Sequence, residues 1–155
     1  MSWRAAVIAV VMAACASGTQ HSARKMDDPR GNMDTISALK EVCEILTRDP
    51  LSPAAARDAL GRSTAVWLRT ARVVAAENDA EPNHVELTLP SPLPQDAFEH
   101  AFGPGREAPM LHPDSPTEVL YYPAVPTDRQ HTCAVITRIE ADGIRAVAVR
   151  RDPRL

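Results

Sequence analysis

Proline sets the terms on which this chain can fold. A proline has no amide hydrogen for a helix or a ladder, and its ring holds φ near about −65°. The 14 prolines therefore act as stops and starts, above all Pro50 and Pro53, Pro90, Pro92 and Pro94, and the Gly103-Pro104 pair. Short helices and short strands are what fit between them.

Reading from stop to stop, Asp34 is a good helix N-cap, and Ile36, Leu39, Val42, Cys43 and Leu46 repeat at helical spacing until Pro50 ends the run. Ser52 caps a second helix, with Pro53 at its first position and Gly61 where a helix commonly stops. Residues 65–76 carry two signals. Their alanines suit a helix, but Val66, Trp67, Val73 and Val74 are strand formers, and the strand is preferred. Val85, Leu87 and Leu89 alternate along residues 84–89, and Pro90, Pro92 and Pro94 are predicted to end that strand. Phe98 and Phe102, four apart, mark a short third helix closed by Gly103-Pro104. Residues 118–122, 131–139 and 144–150 read as further strands, the last two joined at Asp142-Gly143, a strong hairpin signal. The expected fold class is α+β: an antiparallel sheet of about five strands with two or three short helices packed on one face, spanning residues 34–152.

The N-terminus has another purpose. Arg4 supplies a positive charge, the stretch from Ala5 to Ala14 is apolar, and small residues precede Cys15. Ten apolar residues are half of the about 20 needed to span a bilayer, so residues 1–14 read as a signal peptide. Met12-Ala13-Ala14-Cys15 resembles a bacterial lipobox. That resemblance implies a thioether-linked diacylglycerol on Cys15 and a protein anchored in the cell envelope, with the outer membrane preferred to the inner. The alternative is a plain secretory signal ending at Ala14-Cys15-Ala16 and a periplasmic or secreted protein. Residues 15–33 are polar, mixed in charge and without period, as in a flexible tether.

Three cysteines in an exported chain leave one unpaired, and lipidation would remove Cys15 from the count. Cys43 and Cys133 then form one disulfide or remain two buried thiols. Neither has neighbours at metal-ligand spacing, and no metal or other cofactor is expected.

Pro53 to Gly61 and Pro94 to Gly103 share a grammar: proline, a short helix, then a small residue, an apolar one and glycine. Strand material follows each. Two unrelated capped helices would look the same, and so would a duplicated helix-plus-hairpin unit. With the lipobox, this pattern resembles the small envelope lipoproteins of the SmpA/OmlA type and the related beta-lactamase-inhibitor-protein architecture. The resemblance implies short helices packed on an antiparallel sheet, and it carries over no functional residues.

Charge removes one class of function, since 20 acidic residues outnumber 17 basic ones and a nucleic-acid binder would show a basic excess. Catalytic signatures are missing too: there is no G-x-S-x-G, no glycine-rich phosphate loop and no HExxH. His21, His84, His100, His112 and His131 are scattered, and Glu77, Asp79 and Glu81 read as a solvated turn. What remains is a surface, for which Trp67, Arg106, Met110, His112, Tyr121 and Tyr122 are the candidate residues. Alternation along the strand puts one of the two tyrosines in the core and its neighbour on the other side. The preferred reading is a non-enzymatic envelope lipoprotein, a protein-binding or assembly module that meets the membrane through its N-terminal lipid and takes an envelope protein as partner. An inhibitor of an extracellular enzyme is the alternative, and a hydrolase using His112 or His131 comes third.

Overall fold

A computed structural model of the chain describes residues 29–78, 80–108 and 117–154. It holds three helices, α1 (Pro29–Leu46), α2 (Pro53–Gly61) and α3 (Gln95–Phe102). Six strands accompany them: β1 (Arg72–Ala75), β2 (Pro82–Leu93), β3 (Arg106–Glu107), β4 (Glu118–Tyr121), β5 (His131–Arg138) and β6 (Ile144–Pro153). The class is α+β, with one open antiparallel sheet in the order β1-β2-β6-β5-β4-β3. The strand beyond the expected five is the two-residue β3, paired with β4 through Arg106 opposite Leu120.

Helix α1 is already wound at Pro29, the first described residue, so residues 29–33 are helical and not part of a flexible tether. The Thr35 hydroxyl donates back to the Gly31 carbonyl at 3.0 Å, inside the helix, and Asp34 is not a cap. Ile36, Leu39, Val42, Cys43 and Leu46 are all buried, the stripe that the 3.6-residue period requires. After Leu46 the chain stops winding, and the Thr47 amide and hydroxyl both donate to the Cys43 carbonyl, at 3.0 and 2.9 Å. Helix α2 starts as its cap predicts, with the Ser52 hydroxyl accepting from the Ala55 amide at 3.2 Å.

Two local expectations change. Residues 65–76 are neither one strand nor one helix. Val66–Thr70 forms a 3-10 turn that buries Leu68, and only Arg72–Ala75 is strand. The second change concerns β2, which continues through Pro90 and Pro92 to Leu93. Its ladder with β6 is regular as far as Thr88 opposite Ala146 and then slips, resuming at Leu93 opposite Ile144. The prolines fall inside that irregularity, where a missing amide donor breaks no regular ladder bond.

The helices occupy one face: α1 crosses β2, β5 and β6, α3 packs on β4, and α2 packs on β1. Val85 and Leu87, Val147 and Val149, Cys133 and Val135, and Val119 and Tyr121 point into that layer from four strands, and all are buried. Burial of each such apolar side chain stabilises by about 1.5–3 kcal/mol. Cys43 of α1 and Cys133 of β5 are joined as a disulfide, their Cα atoms 5.6 Å apart. Helices α2 and α3 are each followed by an antiparallel strand pair, β1-β2 and β3-β4, at opposite ends of the sheet. Their glycines differ: Gly61 is the last residue of its helix, whereas Gly103 caps α3 at φ +84°.

Candidate binding face and the clasp beneath it

Side chains alternate across a strand, so the register that defines the core also defines the opposite face. His84 stands opposite Arg150, Glu86 opposite Ala148 and Thr88 opposite Ala146 on β2 and β6. Ala134 faces Arg150, and Ile136 faces Ala148 on β5 and β6, while Leu120 of β4 faces Ile136. The result is an apolar band of Ala146, Ala148, Ile136 and Leu120 across the middle of the sheet, and all three helices lie on the other side. Ion pairs flank the band. Arg72 meets Glu86 at 2.9 Å and Arg138 meets Glu118 at 3.3 Å. The sheet curves enough here to leave a depression of about 400 Å³ between Arg72, Glu86, Glu118, Arg138 and Ala146.

Toward the β3 edge the same face carries an aromatic residue between cations. Tyr122, 48% exposed, directly follows β4, and the Arg106 guanidinium lies 5.9 Å from its ring centroid. Arg150 approaches from β6. Asp152 accepts two hydrogen bonds from it, at 2.7 and 3.0 Å. That bonding overcomes the cost of burial and, with a further contribution from Tyr122, holds the Arg150 pKa above its ordinary value. Tyrosine and arginine are the residue types that most often anchor protein interfaces, because they bring large contact area together with directional polar groups.

Of the residues expected on a recognition surface, Arg106 and Tyr122 are thus brought together. Tyr121 is not with them: it is fully buried, with its ring 5.6 Å from that of Phe98. It is therefore the core member of the tyrosine pair, and the alternation of β4 is the reason. Trp67 is also elsewhere, half-buried in the 3-10 turn at the opposite end of the sheet and packed against the core. It lines a shallow cleft with Thr35, Ala38 and Pro90. Met110, His112 and Cys15 lie outside the described residues, as do all of residues 1–28, which include the segment expected to be a signal peptide.

Beneath the sheet is a polar cluster that no motif in the sequence announces. Arg151, with 2% of its side chain exposed, points inward from β6 in step with Val147 and Val149. Its guanidinium donates to the Leu46 carbonyl at 2.8 Å and the Arg48 carbonyl at 3.3 Å, and it pairs with both Asp49 and Glu81. It thereby satisfies acceptors that the end of α1 leaves open. His131 completes the cluster, its Nδ1 2.8 Å from Asp49 and its Nε2 3.8 Å from Glu81. Desolvation raises the Asp49 pKa, but the hydrogen bond and charge of His131 and the charge of Arg151 outweigh it and hold the carboxyl below its ordinary range. Glu81 is therefore an ion-pair partner and not merely part of a solvated turn.

The chemistry of this cluster is that of a clasp. Both nitrogens of His131 face carboxylates that also serve Arg151, so the ring is engaged in holding the end of α1 to the sheet. The period-2 pattern Val147, Val149, Arg151 is the one signal that an arginine would face inward.

Among the described residues, no group of three or more His, Cys, Asp or Glu side chains is placed to hold a metal ion. No described helix is long and apolar enough to cross a membrane. Comparison with protein-family models, with curated proteins and with solved structures returned no match for this chain.

Proposed function

We propose that this chain is a non-enzymatic, lipid-anchored protein of the bacterial cell envelope that binds a protein partner through the open face of its sheet. The observation that carries the reading is Tyr122 exposed between Arg106 and Arg150 beside an apolar band that none of the described helices covers. An exposed aromatic flanked by arginines, next to an apolar band edged by ion pairs, has the composition of an interface centre rather than that of a solvated surface. The lipobox supports the location, and a disulfide between Cys43 and Cys133 suits an oxidising compartment.

The test uses the full chain expressed with its own signal. A photo-crosslinking residue replaces Tyr122 in one strain and the exposed Arg57 of α2 in another, and captured proteins are identified by mass spectrometry. One envelope protein captured at position 122 and not at 57, and lost when Arg106→Ser is added, is the expected result. Equal capture at both positions, or none at 122, would refute the binding face. Capture of an extracellular enzyme with its active site blocked would replace the assembly reading with the inhibitor reading. The mass of the mature N-terminus decides the anchor, since an unmodified Cys15 refutes lipidation.

A further inference from the structure

On the helix side of the molecule a groove of about 620 Å³ runs between α1, the end of α3 and the loop from Pro123 to Arg129. Its floor is apolar, formed by Ala101, Phe102, Pro123 and Val125. The loop wall is braced, because the Arg154 guanidinium donates to the Val125 carbonyl at 3.2 Å and the Arg154 amide donates to the Gln130 carbonyl at 2.9 Å. That volume is in the range of small-molecule sites, about 300–1,000 Å³.

The charges around the groove are lopsided. Lys40, Arg48 and Arg129 line it against one acid, Glu44, on a chain whose net charge is −3. None of these three cations makes an ion pair among the described residues, although Arg72, Arg138, Arg145, Arg150 and Arg151 all do. Lys40 instead lies over the Phe102 ring, 5.9 Å from its centroid. Lys40 and Glu44 stand one turn apart on α1, and Arg48 follows two residues after its last residue, Leu46. Arg129 lines the same groove from the loop side, and the contact of His131 with Asp49 draws the chain segments that carry Arg129 and Arg48 together. The groove thus combines two arginines from neighbouring chain segments with an apolar floor that includes Phe102.

We propose that this groove binds a small amphipathic carboxylate, with its apolar chain over Phe102 and Val125 and its head group between Arg48 and Arg129. A guanidinium matches a carboxylate in charge and in the geometry of its paired donors. The apolar floor accounts for the rest of the ligand, and the single acid on the rim leaves an excess of positive charge for the head.

Dodecanoate, kept below its micelle concentration, is a probe of this chemistry, and titration calorimetry on the oxidised protein reads its binding. Saturable one-to-one binding is expected, weakened about 10-fold or more by Arg129→Gln and by Arg48→Gln, since losing one charge-assisted bond costs about that factor. Dodecanol, which has the chain without the charge, should bind at least about 10-fold more weakly for the same reason, and Arg57→Gln should change nothing. Absence of saturable binding overturns the proposal. So does equal affinity for dodecanol and dodecanoate, or an Arg129→Gln variant that melts like the parent and binds like it. Val125→Asp should abolish binding by placing a carboxylate in the floor, and retained binding in that variant would place the ligand elsewhere and refute the site.

Discussion

Replacing Arg151 by alanine is the sharpest test of how the domain is held together. The side chain is almost wholly buried and reaches two backbone carbonyls and two carboxylates. Its loss leaves the Leu46 carbonyl without a donor in a buried position, a cost of about 1–3 kcal/mol. Asp49, with a quarter of its side chain exposed, loses the arginine of its two partners, for about another 1–2 kcal/mol. Glu81 is half exposed, so its share is under about 1 kcal/mol after screening by solvent. The sum, about 2–6 kcal/mol, brackets the about 3–5 kcal/mol that removing one partner of a buried ion pair generally costs. Domains of this kind have roughly 5–15 kcal/mol in total, so the variant should be severely weakened. Urea unfolding of the oxidised protein, followed by circular dichroism, should show a lower midpoint with the slope unchanged. Arg151→Met, which restores volume but offers no donor, should recover little of the loss. A change below about 1 kcal/mol for Arg151→Ala would mean that water already reaches these acceptors, and would refute the clasp.

Three further outcomes follow from the same contacts. Replacing Cys43 and Cys133 together by serine opens a loop of 90 residues, for which the chain-entropy model gives a loss of about 4–5 kcal/mol; a melt indistinguishable from that of the oxidised parent would show that the link contributes nothing. The Tyr121 hydroxyl is buried with no hydrogen-bond partner among the described residues, so Tyr121→Phe should keep the ring packing and gain up to about 1 kcal/mol, whereas a lowered melting midpoint would contradict the orphan hydroxyl. Burial first, and the charge of Glu99 second, push the Tyr121 phenol above its ordinary value. Its contribution is therefore complete below about pH 10 and lost as pH rises toward the folded value, a decline that Tyr121→Phe should flatten. Asp49 works in the opposite sense. Desolvation notwithstanding, its pKa is lowered by His131 and Arg151, so its contribution is present above about pH 4 and lost as pH falls through the folded value. Asp49→Asn should have a flatter acid limb in urea midpoints taken between about pH 5 and pH 2, and an unchanged limb would remove Asp49 from the clasp.

Part of the proposed binding face is legible in the order of residues alone. Alternation in β4 requires one tyrosine of the pair to leave the core, and Tyr122 is the one that does. That Arg106 stands beside it is not legible, because β3 is two residues long and gives no periodic signal. The groove cations Lys40, Arg48 and Arg129 are invisible for a different reason. They come from a helix, its end and a distant loop, and nothing in the local sequence says that these are neighbours.

The sequence by itself determined the class of the domain, the buried stripe of α1, the cap of α2 and the hairpin at Asp142-Gly143. These rest on interactions within a few residues, namely side-chain period, capping bonds and the dihedral freedom of glycine, where Gly143 takes φ +110°. Tertiary structure decided what lies between residues far apart in the chain. Arg151 donates across 105 residues to Leu46 and pairs across 70 with Glu81, and an arginine on a strand is polar surface until a helix end arrives to use it. Strand β2 likewise passes two prolines because the bulge against β6 removes the need for their missing donors, so the partner strand decides whether a proline is a stop.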